Sequence, residues 1–401
     1  MKEKPKLCVA TIDPSQVGGV TTMKEYFCKM AASRNYDPFI VFFPLNPEFS
    51  VRFKNLFSLN KVKMFLEGEY LGFKSYSIGT YFPEFEFMHY LSSFKYWKKV
   101  IEGSDLHFAV SGTNQSCLPY VMAGKKFICW VATTYLEDRK QNVISFSFVQ
   151  KLLNFFSLPM VLLFERIIYK KAYKILVLSQ YTKDMIIKKY QIQDSKIIVA
   201  PSPIDVDKFS PPISNHEGCR ILFVGRVNDP RKNVIMLLKA FAKVVAEKKD
   251  VELWLVGENM SEKIQNMALE LGVLNKIKCF ANISHEDIDG FYKNCDIFVL
   301  PSFQEGLGIV VLEAMSCGIT AVLTRCGGPE WLIRDGINGL VVRNNDADGF
   351  AISLLKLVND RELRLEIGNE ARKTIIEKCS VEAVENIFSQ ALIDLEENGR
   401  R

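Results

Sequence analysis

No two of the ten cysteines stand in a CxxC spacing, and histidine is scarce, with four in 401 residues. A structural zinc site needs thiolates and imidazoles clustered at short spacing, so none is expected. Several cysteines (Cys8, Cys129, Cys279) lie in apolar runs, which reads as buried free thiols in a reducing compartment rather than a disulfide framework. Long hydrophobic runs are missing too. The most apolar stretch, Leu152 to Phe164, covers 13 residues and is interrupted by Asn154, Ser157 and Pro159. A membrane-spanning helix needs about 20 apolar residues, so no span is expected. Met1 to Pro5 is charged and leads straight into a strand-like run, unlike a signal peptide. Internal repeats and low-complexity segments are absent. These absences together give the expectation of a cytoplasmic protein.

What is present is a chain of 401 residues, 48% hydrophobic and 24% charged, enough for two domains of near-equal size. The net charge of +5 is unevenly spread. Residues 1–200 hold 27 Lys and Arg against 16 Asp and Glu, and the remainder 24 against 30. Either the first half meets something anionic or it carries a solvated basic face.

Short β-branched and aromatic runs alternate with helical patterns throughout, the mark of βαβ units and parallel sheets. The first half offers Lys6–Ile12, Phe39–Phe43, Leu106–Val110, Phe127–Val131, Ile175–Leu178 and Ile197–Ala200 as strands. The second offers Ile221–Val224, Val251–Val256, Ile277–Phe280, Ile297–Leu300, Thr320–Leu323 and Gly339–Val342. The fold class is therefore α/β with two doubly wound, Rossmann-like domains. Four prolines between Pro201 and Pro212 read as the linker, giving domains 1–200 and 201–380, with a helical tail 381–401 that packs on either.

Ligands of open α/β sheets sit beyond the carboxyl ends of the strands. Arg226, Glu305 and the pair Gly327–Gly328 each follow such an end. In Pro301–Gly318, Gly306 and Gly308 permit a tight turn into a helix whose free N–H groups and dipole suit a diphosphate. That helix is apolar nearly all round, so Glu313 on it is a buried carboxylate that holds either a ribose or an ion pair, with Arg325 the candidate partner. Eight residues at helical rise separate Glu305 from Glu313 by on the order of 12 Å. Arg226 and Lys232 bracket a turn and suit two cations closing on a diphosphate, or else a solvated basic turn. Gly18 and Gly19, after the first strand, allow close approach of backbone to ligand.

Arg226 with Lys232, Pro301-Ser302 leading to Glu305 and Glu313, Gly327-Gly328-Pro329-Glu330, and Asp335-Gly-x-Asn338-Gly339 together resemble the retaining GT-B glycosyltransferases of the glycogen-synthase-like superfamily, in particular their large family four. The resemblance is strong over roughly residues 200 to 350 and loose before them. It implies two Rossmann-like domains facing across a cleft, with a UDP-, GDP- or ADP-sugar as co-substrate and no metal or other cofactor. Catalytic roles fall on Arg226, Lys232 and Glu305, and donor contacts on Gly18, Gly19, Gly306, Leu307, Gly308, Glu313 and Gly328. The turn at Lys232 is one residue longer than the commonest family form, which leaves Arg231 as the alternative. Family members commonly carry a histidine after the strand matching Phe127–Val131, where this chain has Thr133 and Thr134; either one takes over the sugar contact or that contact is lacking. Three Asp-x-Asp triplets (205–207, 287–289, 346–348) fall away from the cleft-facing strand ends and read as structural rather than metal-holding.

The expected function is transfer of a hexosyl or N-acetylhexosaminyl group, with retention, to a glycan or lipid-linked acceptor in surface polysaccharide synthesis. A non-catalytic GT-B subunit and a sugar-nucleotide epimerase on the same fold are the alternatives. No nucleic-acid partner is expected. Apolar residues beside lysines in 143–174 and in Phe94–Lys99 suit either an anionic membrane surface or, for Leu152–Ile168, a core helix.

Overall fold

A computed structural model describes residues 3–15, 19–51, 63–139, 148–211, 217–284 and 286–399. The chain forms two compact units, one of residues 1–201 with 385–401 and the other of residues 202–384.

The first unit carries β1 (Lys6–Thr11), β2 (Asp37–Phe42), β3 (Ser50–Val51), β4 (Phe65–Tyr70), β5 (Phe73–Ile78), β6 (Thr80–Tyr81), β7 (Leu106–Ser111), β8 (Ile128–Val131), β9 (Lys174–Val177) and β10 (Ile197–Val199). Eight of them make one sheet in the order β10-β9-β8-β7-β1-β2-β5-β4, and β3 pairs with β6. All six residues of β7 are buried, as are all but the first of β1. Strands covered on both faces need such unbroken apolar runs, which is why the sequence reveals them. At one edge β4 runs antiparallel to β5. Their two-residue connection, Leu71 and Gly72, has φ values of 51° and 80°, the mirror-image turn that matches strand twist.

Helix Phe148–Lys171 follows in this unit and spans 24 residues with Pro159 inside it. It is longer than the 13-residue apolar run suggests, and by length and composition Gln150–Lys171 suffices to cross a bilayer. Its inner side is nevertheless packed into the unit, with Val161, Glu165, Ile168 and Tyr169 fully buried. The last helix, Val381–Gly399, brings Phe388 against Tyr26, Phe27 and Trp130, with the Trp130 ring centroid 4.5 Å away. Arg34 pairs with Glu385 at 2.9 Å.

The second unit holds β11 (Cys219–Val224), β12 (Val251–Gly257), β13 (Ile277–Ala281), β14 (Ile297–Leu300), β15 (Thr320–Thr324) and β16 (Leu340–Val342) in the order β13-β12-β11-β14-β15-β16. Every pair is parallel. Helix Val234–Glu247 packs Val234, Leu237, Leu238, Phe241 and Val244 into the core, the 3- and 4-residue spacing of one helix face. Each such fully buried side chain contributes about 1.5–3 kcal/mol. The strand order reverses between β11 and β14, which opens a crevice at their carboxyl ends. The expected fold, two doubly wound α/β sheets, is the fold found.

Candidate functional site

The loop leaving β11 runs from Gly225 to Asn233. Asp229 caps the short turn Pro230–Lys232 by accepting from the Arg231 N–H at 2.9 Å, and Asn233, with φ 51°, starts the next helix. The loop leaving β14 is tied to this turn, because the Phe303 N–H donates to the Arg231 carbonyl at 2.8 Å. Lys232 thereby meets Glu305, with Nζ 2.7 Å from Oε1, and the Ser302 hydroxyl donates to the same oxygen at 2.7 Å. Lys232 and Glu305 are only 16% and 14% exposed, so the pair is largely shielded from solvent.

Arg226 stands apart from that pair. Its side chain is 64% exposed and its Nη2 lies 2.6 Å from Asp229 Oδ2. Arg231 binds the same carboxylate at 3.1 Å. Burial opposes ionisation of Asp229, but the hydrogen bonds from Arg231 and the charge of Arg226 outweigh it and hold the carboxyl below its usual value. The structure thus joins Lys232 to Glu305, and Arg226 and Arg231 to one acid.

From Glu305 the chain runs beside Gly327–Gly328. The Glu305 N–H donates to the Cys326 carbonyl at 2.8 Å, and the Gly328 N–H to the Glu305 carbonyl at 2.9 Å. A Cβ on Gly328 would stand 2.2 Å from the Gly306 carbonyl oxygen, so only glycine permits this approach. Gly308, with φ 69°, opens helix Ile309–Ser316, and no side chain caps its first N–H groups. Uncapped groups at a helix start are suited to an anion. Leu307 is buried beside them. Because the helix begins only at Ile309, Glu305 to Gly308 is loop, and the span reckoned from helical rise does not hold for those four residues.

Glu313, 5% exposed on this helix, accepts from the Tyr292 hydroxyl at 2.7 Å. Burial pushes its carboxyl up to about 7, against the opposing pull of the Tyr292 hydrogen bond and the Lys208 charge. The ion pair with Arg325 does not form; Arg325 reaches Glu330 instead, at 3.5 Å.

In the first unit, Gly18 lies outside the described residues, and Gly19 is the first residue of helix Gly19–Ser33. Thr133 and Thr134 follow β8 and are both buried, and among the described residues the Thr134 hydroxyl has no hydrogen-bond partner. A cavity of about 580 Å³ opens where β1, β2 and β7 end, lined by Asp13, Phe43, Glu86, His89, Gln115 and Arg139 among others, but by neither threonine. Glu86 Oε2 accepts from the Tyr135 hydroxyl at 3.0 Å and from Arg139 at 2.5 Å. Burial lowers the basicity of His89, whose Nε2 lies 2.9 Å from the Pro83 carbonyl. Gln115 is 2% exposed, and among the described residues its Oε1 has no hydrogen-bond partner. Sequence reasoning missed these residues because they come from five separate segments with no motif; only Asp13 and Phe43, just past the ends of β1 and β2, carried a positional signal.

Five of the six Asp-x-Asp carboxylates have partners of their own. Asp205 accepts from the N–H groups of Asp207 and Lys208 at 3.1 and 2.9 Å, Asp289 pairs with Lys293 at 2.7 Å, Asp346 caps a helix through the Gly349 N–H at 2.8 Å, and Asp348 meets Lys243. Asp287 accepts from the Ser284 hydroxyl at 2.6 Å.

Comparison with known proteins adds a family match within the second unit. Residues 207–374 match the family Glycosyl transferases group 1. The lipopolysaccharide core biosynthesis glycosyltransferase LpsE of Rhizobium meliloti is 34% identical over 173 residues, 43% of this chain and 49% of that protein. The UDP-Gal:alpha-D-GlcNAc-diphosphoundecaprenol alpha-1,3-galactosyltransferase of Escherichia coli is 26% identical over 218 residues, 50% of this chain and 55% of that one. The chain thus spans about half the length of these relatives. Among solved structures, Anabaena HepE in complex with UDP-glucose superposes with a TM-score of 0.71 at 16% identity, covering 97% of this chain and 100% of HepE, a likeness of fold. The family match thus runs through the second unit alone, over residues 207–374, while the likeness that runs the length of both units is one of fold.

Proposed function

We propose that the protein is a retaining, metal-independent glycosyltransferase that moves a hexosyl or N-acetylhexosaminyl group from a nucleotide sugar to a glycan or lipid-linked acceptor in surface polysaccharide synthesis. The observation that carries this reading is the contact of Lys232 and Ser302 with Glu305 beside the uncapped start of helix Ile309–Ser316. The donor diphosphate lies on those N–H groups and takes over Lys232 and Arg226 from the carboxylates that now hold them. Both cations then face the charge that grows on the leaving phosphate, the contribution that usually dominates such a step. Glu305, released from Lys232, accepts from sugar hydroxyls, and Glu313 accepts from the ribose.

The acceptor hydroxyl attacks the anomeric carbon on the face the diphosphate leaves. The carbon–oxygen bond to phosphate breaks, the new glycosidic bond forms, and the hydroxyl proton passes to the departing phosphate oxygen. Two cations and a helix start serve in place of a divalent metal. A UDP-sugar is the donor to try first, because HepE was solved with UDP-glucose; GDP- and ADP-sugars come next. LpsE and the Escherichia coli enzyme, by name, build lipopolysaccharide core and extend a diphosphoundecaprenol-linked sugar, which favours a lipid-borne acceptor and peripheral attachment at the inner face of a membrane.

The test is a donor screen followed by proton NMR of the product, with and without EDTA. The expected product keeps the donor's anomeric configuration, and turnover survives chelation. An inverted product, or activity lost to EDTA and restored by manganese, would return one of the Asp-x-Asp pairs to consideration.

A further inference from the structure

Helix Phe148–Lys171 is apolar on its outer side as well as on its inner one. Its inner side is set by Ser157, Val161, Glu165, Ile168 and Tyr169, all buried. Glu165 holds that side in place by accepting from the Tyr135 N–H at 2.8 Å and from the Tyr190 hydroxyl. The outer side carries Leu152, Phe155, Phe156, Met160 and Leu163, spaced by three and four residues along one face. These five are 38–70% exposed, Phe155 and Phe156 most of all. The outer face of a helix on a water-soluble domain is ordinarily polar or charged, and an unbroken apolar stripe there marks an interaction face.

The charges beside the stripe select its occupant. Lys151, Arg166, Lys170 and Lys171 are exposed on the same helix. Among the described residues none of the four lies within ion-pair distance of a carboxylate. The helix's single acid, Glu165, is turned inward. An apolar stripe rimmed only by cations suits the headgroup region of an anionic bilayer. The lysine-aromatic segment Phe94–Lys99 is different: Trp97 is fully buried, Lys95 and Lys99 sit over Tyr96 and Phe65, and Lys98 is 3.6 Å from Glu102. That segment belongs to the fold and not to this surface.

The first half of the inner side, through Gln150, Leu153, Asn154 and Ser157, lines the 580 Å³ cavity. We propose that this helix is a partition: its outer stripe dips into an anionic bilayer, while its cavity side receives the sugar of an acceptor that the same bilayer carries. The cavity half of this statement rests on the proposed glycosyl transfer; the bilayer half does not. The Oε1 of the buried Gln115, unpartnered among the described residues, supplies the cavity with an acceptor for a sugar hydroxyl.

The full chain is sedimented with phosphatidylglycerol–phosphatidylethanolamine vesicles and with phosphatidylcholine vesicles. Binding is expected to the first and to weaken at high salt. The double variant Phe155→Ser/Phe156→Ser should bind about tenfold less with an unchanged melting temperature, since both rings are exposed. Orientation is read with an environment-sensitive dye at Phe156→Cys or at Asn154→Cys, nine of the ten native cysteines being buried. The dye at 156 should shift to the blue and be quenched by spin-labelled lipid, and the dye at 154 should do neither. No vesicle binding at low salt, binding unchanged in the double variant, or equal responses at the two positions would overturn the proposal. So would a dimer that the double variant disperses, which assigns the stripe to a second copy. Absence of glycosyl transfer with vesicle binding intact would overturn the function above and the cavity assignment, and leave the bilayer contact standing.

Discussion

Arg226 and Lys232 read alike in the sequence, as two cations bracketing one turn, and only the folded chain separates them. Arg226 is exposed and leans on Asp229, whereas Lys232 is enclosed with Glu305. Arg226→Ala should therefore leave stability nearly intact and lower turnover by orders of magnitude. Lys232→Ala should lower turnover at least as far, but it also strands the Glu305 carboxylate with only Ser302. That costs about 1–3 kcal/mol, less than a fully buried pair because both groups retain some solvent. Chemical denaturation beside initial rates on folded protein checks both, and full turnover in Arg226→Ala would make that residue part of a solvated turn. Glu313 adds a pH signature. Its folded value of about 7 lies above the ordinary 4.5, so the native state holds the extra proton. Stability from this group is complete below pH 4.5 and is lost as pH climbs through 7, roughly 3 kcal/mol at most. Glu313→Gln should flatten that decline in urea titrations across the range. If the ionised carboxylate accepts from the ribose, affinity for UDP should rise with pH in the native protein and stay level in the variant. A parallel rise in both would remove Glu313 from the ribose.

Among the elements, those buried on both faces were legible. Ile297–Leu300 is an unbroken apolar run, and Leu106–Ser111 is apolar apart from His107 and the terminal Ser111, because parallel strands under helices have no wet side. The hairpin β4–β5 was not, since Phe65-Leu-Glu-Gly-Glu-Tyr exposes its four middle residues at the sheet edge and so carries no alternation to read. Helix Ile309–Ser316 was visible with its buried glutamate, but Tyr292, the partner of that glutamate, lies 21 residues earlier, and spacing could not supply it. The cavity in the first unit escaped for the same reason. Its lining residues become neighbours only when β1, β2 and β7 line up. Helix Phe148–Lys171 shows the limit of composition: its sequence fits a core helix or a membrane surface equally, and which residues face outward is decided by Glu165, Tyr135 and Tyr190.

At the scale of the whole molecule, the sequence could not say where its last helix packs, because an amphipathic tail carries no address. The fold answers with Phe388, which is fully buried against Tyr26, Phe27 and Trp130, while Trp130 donates its indole N–H to the Ala200 carbonyl at 2.8 Å. Residues 385–401 are thus part of the first unit although the chain reaches them only after completing the second. Deleting the Phe388 ring leaves a void that neighbouring aromatic rings cannot fill, at a cost of about 3–5 kcal/mol. The loss should fall on one unit alone. Calorimetry of Phe388→Ala should show the first unit melting earlier, with Trp130 reporting the change through its fluorescence. UDP affinity should stay at the native value, because Lys232, Glu305, Gly308 and Glu313 all lie in residues 202–384. If affinity falls together with the melting temperature, the last helix supports the donor site as well, and residues 385–401 cannot be assigned to the first unit alone.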